Sequence, residues 1–180
     1  MRKWGVLALG AAVLAALAFY GIDRISDDRK ITIGVWEYVV RDPDAGAASQ
    51  KMGDATASGL EAVITNAFWT PGQRAPSAAD LTELRNAAAA ARTAGIRPLL
   101  IVQHEGSKTT PRTPALRTQF AAYAAALGRQ LPQFRDFIIG NEPNLNRFWL
   151  PQFGPSGEDV AARDYLALLA QTYDALKGVS

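Results

Sequence analysis

Ile138-Ile139-Gly140-Asn141-Glu142-Pro143-Asn144 is an apolar run that stops at a glycine, passes through an Asn-Glu pair and meets a proline. Proline lacks the N–H that a continuing strand or helix would need. The pattern is that of a buried strand opening into a loop, with a carboxylate at its C-terminal end. Parallel α/β proteins place their chemistry at such ends.

Upstream, the same unit recurs. Ile31 to Tyr38 is rich in β-branched and aromatic residues, and Leu60 to Phe68 and Arg97 to Gln103 are further strand candidates. Asp136 to Gly140 is the fourth. Helices are expected between them. Asp42 or Asp44 caps a weak one ending near Gly59. Ser77 and Asp80 form a capping box for one that ends at Gly95. Thr113 and Pro114 fit the N-cap and first turn of a helix ending at Pro132. Its apolar face is Leu116, Phe120, Tyr123, Leu127 and Leu131. A last helix is expected from a capping box at Ser156 and Asp159 to a stop at Gly178. Strand and helix alternate four times, at roughly 30–40-residue intervals, which is the length of a β/α unit. Such units give parallel strands with right-handed crossovers. Periodicity leaves two architectures open: a doubly wound open sheet, or the first four β/α units of a TIM (β/α)8 barrel.

The chain of 180 residues is long enough for one domain with a real core. It has 19 Lys plus Arg against 17 Asp plus Glu. Two of the positive charges, Arg2 and Lys3, sit at the extreme N-terminus, so the remainder is balanced and no nucleic-acid partner is expected. Cysteine is absent and His104 is the only histidine. Disulfides, thiol chemistry and multi-histidine metal sites are therefore excluded, and neither metal nor cofactor is expected. After Arg2 and Lys3, residues 4–22 carry no charge, long enough to span a bilayer. Ala16-Leu17-Ala18 offers a signal cleavage site, while the continuation through Phe19 and Tyr20 suits an uncleaved membrane anchor. In both cases the rest is exported, secreted or membrane-anchored, with the domain outside the cytoplasm. The domains are then 1–22 signal or anchor helix, 23–30 charged linker and 31–180 β/α domain.

The four strand ends carry Trp36-Glu37-Tyr38, Asn66-Ala67-Phe68-Trp69, Gln103-His104-Glu105 and Asn141-Glu142. Each end offers a polar or aromatic group to one face. On these residues the chain resembles the clan-A glycoside hydrolases, the barrel cellulases, xylanases, mannanases, xylosidases and their relatives. The resemblance is sharp over residues 140–149 and follows element order over 31–180. It implies a barrel, with Glu142 as general acid/base and Asn141 on the sugar 2-hydroxyl. It places His104 where members carry a substrate-binding histidine, and Trp149 where they put an aromatic subsite residue. Trp36 and Trp69 are further candidates, because a flat apolar ring covers the C–H face of a pyranose. One departure is that the second strand lacks the arginine with which many members orient the nucleophile.

The chemistry accounts for these residue types. Glycoside cleavage needs a carboxylic acid to protonate the departing oxygen. In a retaining enzyme a second carboxylate, about 5–5.5 Å away, attacks the sugar carbon. The family supplies it from a seventh strand, and no carboxylate here maps to that role. Glu37 and Glu105 are read as solvated loop carboxylates. The expectation is the N-terminal half of a barrel hydrolase, acting on a polysaccharide or oligosaccharide, from a truncated gene product or with a complementary barrel half as partner. The alternatives are a non-catalytic carbohydrate-binding or cell-surface protein on a degenerate barrel, and an unrelated membrane-anchored doubly wound domain.

Overall fold

The structure is a computed structural model and describes residues 31–37 and 40–179. The apolar segment 4–22, the linker 23–30 and Tyr38 lie outside the described residues. The unit that carries the fold spans Ile33–Ser180. It is an α/β unit of four parallel strands and four helices: β1 (Gly34–Trp36), α1 (Ala45–Ala57), β2 (Ala62–Trp69), α2 (Ala78–Ala94), β3 (Arg97–His104), α3 (Pro114–Gln130), β4 (Asp136–Ile139) and α4 (Val160–Lys177). Among the described residues no helix is long and apolar enough to cross a membrane.

The helix signals in the sequence act as capping chemistry predicts. Asp44 accepts the Ala47 N–H at 2.7 Å, Ser77 accepts from Asp80 at 3.1 Å, and Thr113 accepts from Leu116 at 3.2 Å. Gly95 closes α2 in the left-handed region. The last helix starts later than its capping box suggests. Asp159 is itself the N-cap, accepting from Ala162 at 2.8 Å. The Ser156 N–H instead binds the Glu158 carboxylate at 3.1 Å, inside a turn before the helix. The first strand is also shorter than expected. Ile31 and Ile33 are 83% and 59% exposed. Among the described residues the ladder of this strand covers Gly34–Trp36, and a Cβ on Gly34 would crowd Ala62 Cβ and Ala62 O at 3.0 Å.

The strand order is β1-β2-β3-β4, parallel throughout. A doubly wound sheet needs a reversal of strand order at its switch point. None occurs among these four strands, so right-handed crossovers put the three connecting helices on one face, and α4 packs into the same cluster as α2 and α3. The pleat divides the strand residues accordingly. Ala67, Trp69, Leu100, Val102 and Ile139 pack with Leu84, Phe120, Tyr123, Leu127, Ala161 and Leu168 of the helices. Val63 packs with Met52, Ala90 and Ile96 in a smaller cluster under α1. The alternate residues Ile64, Asn66, Phe68, Leu99, Ile101, Gln103 and Ile138 belong to neither cluster and form the other face. Toward the β4 edge, Leu99, Phe137 and Ile138 line an open groove of about 840 Å³ with Leu169, Tyr173 and Leu176 of α4.

Candidate functional site

The C-terminal ends of the strands converge on a cleft of about 410 Å³. β1 contributes Trp36 and Glu37, β2 contributes Asn66 and Phe68, and β3 contributes Gln103, His104 and Glu105. The loop after β4 adds Asn141, Arg147 and Phe148. This volume and mixed lining fit a small-molecule site.

Side chains from outside the sheet hold the end of β2. The last described bond between this stretch and β2 is the Glu37 N–H to Ile64 O at 2.9 Å. The next carbonyls on that side, Asn66 O and Phe68 O, accept from side chains. Arg41 Nη1 donates to Asn66 O at 2.8 Å, and Tyr123 Oη donates to Phe68 O at 3.0 Å. The Arg41 side chain is only 12% exposed, and Nη2 meets Asp80 at 2.7 Å and Glu83 at 2.8 Å at the start of α2. Burial pushes the Asp80 carboxyl up, but bonds from Ser77 and Arg41 outweigh it and hold the carboxyl below its ordinary value. Burial pushes the Tyr123 phenol up to about 12, so it remains a donor.

The exit from β4 is strained. Gly140 has φ +74° and Glu142 has φ +40°, a region that L-residues avoid. A Cβ on Gly140 would also meet the Tyr165 ring at 3.3 Å. That ring is fixed by its hydroxyl, which donates to Ile139 O at 2.8 Å. Gly140→Ala is therefore expected to cost about 1–3 kcal/mol in urea unfolding. An unchanged midpoint would show that the turn relaxes freely. Beyond the turn, the loop is tied to its neighbours. Thr110 Oγ1 donates to Phe148 O at 2.7 Å, and Gln152 Nε2 donates to Pro143 O at 3.0 Å and Trp149 O at 2.9 Å.

The sequence candidates divide. Trp36, His104 and Asn141 border the cleft. Glu142 adjoins Asn141 at the lip, exposed and outside the lining. Trp69 and Trp149 are elsewhere, at 0% and 1% exposure inside the main core. Trp69 lies edge-on to Phe120, and Trp149 lies edge-on to His104 and Tyr165. Neither offers a ring face to a ligand. Among the described residues no cluster of acidic, His or Cys side chains could hold a metal.

Phe68, Gln103, Arg147 and Phe148 are cleft residues that were not singled out as candidates. For the first two a signal was present. Trp69 and His104 are register partners, as are Phe68 and Gln103 one step before them. Adjacent residues on a strand face opposite sides. The large Trp69 has to face the helices, so Phe68 and Asn66 have to face the cleft.

His104 touches the cleft but is 2% exposed, with Nδ1 3.0 Å from Gly106 O. Burial lowers its pKa below the ordinary 6.5, outweighing the opposite effect of the Gly106 carbonyl. The unfolded chain then binds a proton at a pH where the folded chain does not. Its contribution to stability is complete above about pH 6.5 and is lost as pH falls toward the folded pKa. A His104→Gln variant is expected to lose less stability over that window than the unaltered chain, read from urea midpoints at stepped pH. Parallel curves would place the imidazole in a solvated setting.

Comparison of the chain with protein-family models and with curated proteins gave no match to either.

Proposed function

We propose that this chain is a glycoside hydrolase-like half-barrel, four β/α units of a (β/α)8 enzyme acting on O-glycosidic bonds of a β-linked polysaccharide or oligosaccharide. The observation that carries this reading is the position of Asn141 and Glu142. They leave the fourth strand of a parallel sheet wound in one direction, beside a cleft that exposes an indole and a phenyl ring. Trp36 and Phe68 are 47% and 41% exposed, and Asn66 and Gln103 beside them are each 4% exposed. Flat apolar faces alternating with amides suit a pyranose, whose ring carries C–H faces and a rim of hydroxyls.

In this reading Glu142 protonates the departing glycosidic oxygen, and Asn141 holds the neighbouring hydroxyl. The nucleophile comes from the units that complete the barrel. Those units would pair with the open edges of β1 and β4, and cover the Ile64, Leu99, Ile101 and Ile138 face. They would also enclose Glu142, which is exposed in the half-barrel. The strain at Glu142 supports a functional role, since backbone held at unfavourable φ clusters at active sites.

One observation favours a second reading, a carbohydrate-binding protein without turnover. Glu142, the acid/base candidate, stands outside the cleft, whose lining includes three aromatic side chains and three amides. Isothermal titration of the chain with cellohexaose, xylohexaose and mannohexaose, beside glycoside hydrolysis assays of the chain joined to the units that complete the barrel, separates the two. Binding with turnover supports the hydrolase, and binding alone supports the second reading. Absence of both rejects carbohydrate as the ligand.

A further inference from the structure

Asn66 is 4% exposed and lines the cleft, yet only one of its two side-chain polar groups is engaged. The Trp36 indole Nε1–H donates to Asn66 Oδ1 at 2.5 Å. An indole N–H is donor-only, so this bond fixes which end of the carboxamide is oxygen. The nitrogen Nδ2, with two donors, is left without a partner among the described residues. It is also not among the fully enclosed unpartnered atoms, which are Thr65 Oγ1 and Trp149 Nε1. The opening that reaches it is the cleft. A buried amide costs free energy unless it is hydrogen-bonded, so an unengaged one facing a cleft marks a place for an acceptor.

The arrangement is held from behind. Arg41 fixes the Asn66 main chain through its carbonyl and is itself clamped by Asp80 and Glu83. Asn66 in turn fixes the half-exposed Trp36 indole. The platform and the donor therefore set each other's orientation before a ligand arrives, which removes part of the ordering cost of binding.

We infer that Trp36 and Asn66 act as one preorganised subsite, in which a sugar ring lies against the indole and one of its oxygens accepts from Asn66 Nδ2. This inference rests on the carbohydrate reading above and adds the residue that contacts the ring oxygen or hydroxyl. It also assigns Asn66 a role different from the missing second-strand arginine. Its task is ligand donation, and the charge at that strand end is supplied by Arg41.

The test uses the whole chain and the three hexaoses by isothermal titration, with circular dichroism to check folding. Asn66→Asp keeps the shape and the acceptor for Trp36 but removes the donor. It is expected to weaken binding about tenfold or more, ~1.4 kcal/mol. Trp36→Phe removes the indole N–H and keeps a ring. If the pair is one unit, Trp36→Phe costs at least about threefold less in the Asn66→Asp background than alone. Where Asn66→Asp does not fold, Asn66→Ala takes its place in the cycle. If the unaltered chain binds none of the hexaoses, the carbohydrate reading falls. If it binds and the Asn66 variant binds equally, or the two substitutions are additive, the subsite is overturned while the carbohydrate reading stands.

Discussion

Glu142→Gln is expected to slow glycoside cleavage by roughly 10²–10⁴-fold, the usual worth of a positioned general acid. The assay is kcat/KM for β-linked oligosaccharides, beside aryl glycosides with acidic leaving groups, by the chain joined to, or mixed with, the units that complete the barrel. Glutamine keeps the size and the backbone demand of the glutamate, so φ +40° is retained and stability changes little. What is lost is the transferable proton. The loss should therefore depend on the substrate. A glycoside with a strongly acidic leaving group departs without protonation and is expected to be nearly spared. One with an ordinary sugar leaving group should show the full deficit. A uniform loss would make Glu142 a structural residue of the turn. No loss on either substrate would remove it from the chemistry.

Trp69→Ala is expected to destabilise the fold by about 3–5 kcal/mol, the range for emptying a large aromatic site in a packed core. Trp69 is 0% exposed, lies 5.4 Å from the Phe120 ring centroid at 66°, and donates its indole N–H to Gln73 O at 3.0 Å. Removing it opens a void among Leu81, Leu84 and Phe120 and leaves the Gln73 carbonyl without its donor. The neighbouring substitution Phe68→Ala should do the opposite. Phe68 is 41% exposed on the cleft face, so its loss should cost little stability and should weaken oligosaccharide binding instead. Urea unfolding and isothermal titration on the two variants decide the matter. If Trp69→Ala impairs binding with stability intact, the face assignment along β2 is reversed.

Much of the fold was legible along the chain because its signals are local. An N-cap acts on an N–H two or three residues away, so Asp44, Ser77 and Thr113 announce their helices wherever those helices end up. Gly95 closes α2 for a similarly local reason. Where a local signal was doubled, as at Ser156 and Asp159, the wrong member was favoured. The turn between them sets the helix start, and Gly157 at φ +82° belongs to that turn. The Ile31–Tyr38 run reads as a long strand by composition, but strand length is set by the partner. Its described pairing with β2 covers three residues.

The candidate site was legible to a lesser degree. Strand ends point to a functional face, and Trp36, His104 and Asn141 do reach the cleft. Composition does not say which of two adjacent residues faces inward. Trp69 and His104 are the more conspicuous residue types at their strand ends. They occupy the helix-facing half of the pleat, from which the buried His104 only touches the cleft edge, and the plainer Phe68 and Gln103 face the cleft. The family resemblance places Trp149 at an aromatic subsite. The loop, tied by Gln152 and Thr110, carries it back into the core.

The amino-acid sequence alone determined the alternation of four strands with four helices, most of the caps, and the Asn-Glu pair leaving the fourth strand. These depend on periodicity and on contacts a few residues long. The tertiary structure decided the winding, because strand order is a property of pairing between segments 30 or more residues apart. It decided which side of each strand meets the helices, because the period of two offers both sides equally until a core claims one. It also decided that Arg41, from the loop after β1, secures the end of β2, since its bond to Asn66 O joins residues 25 apart in the chain.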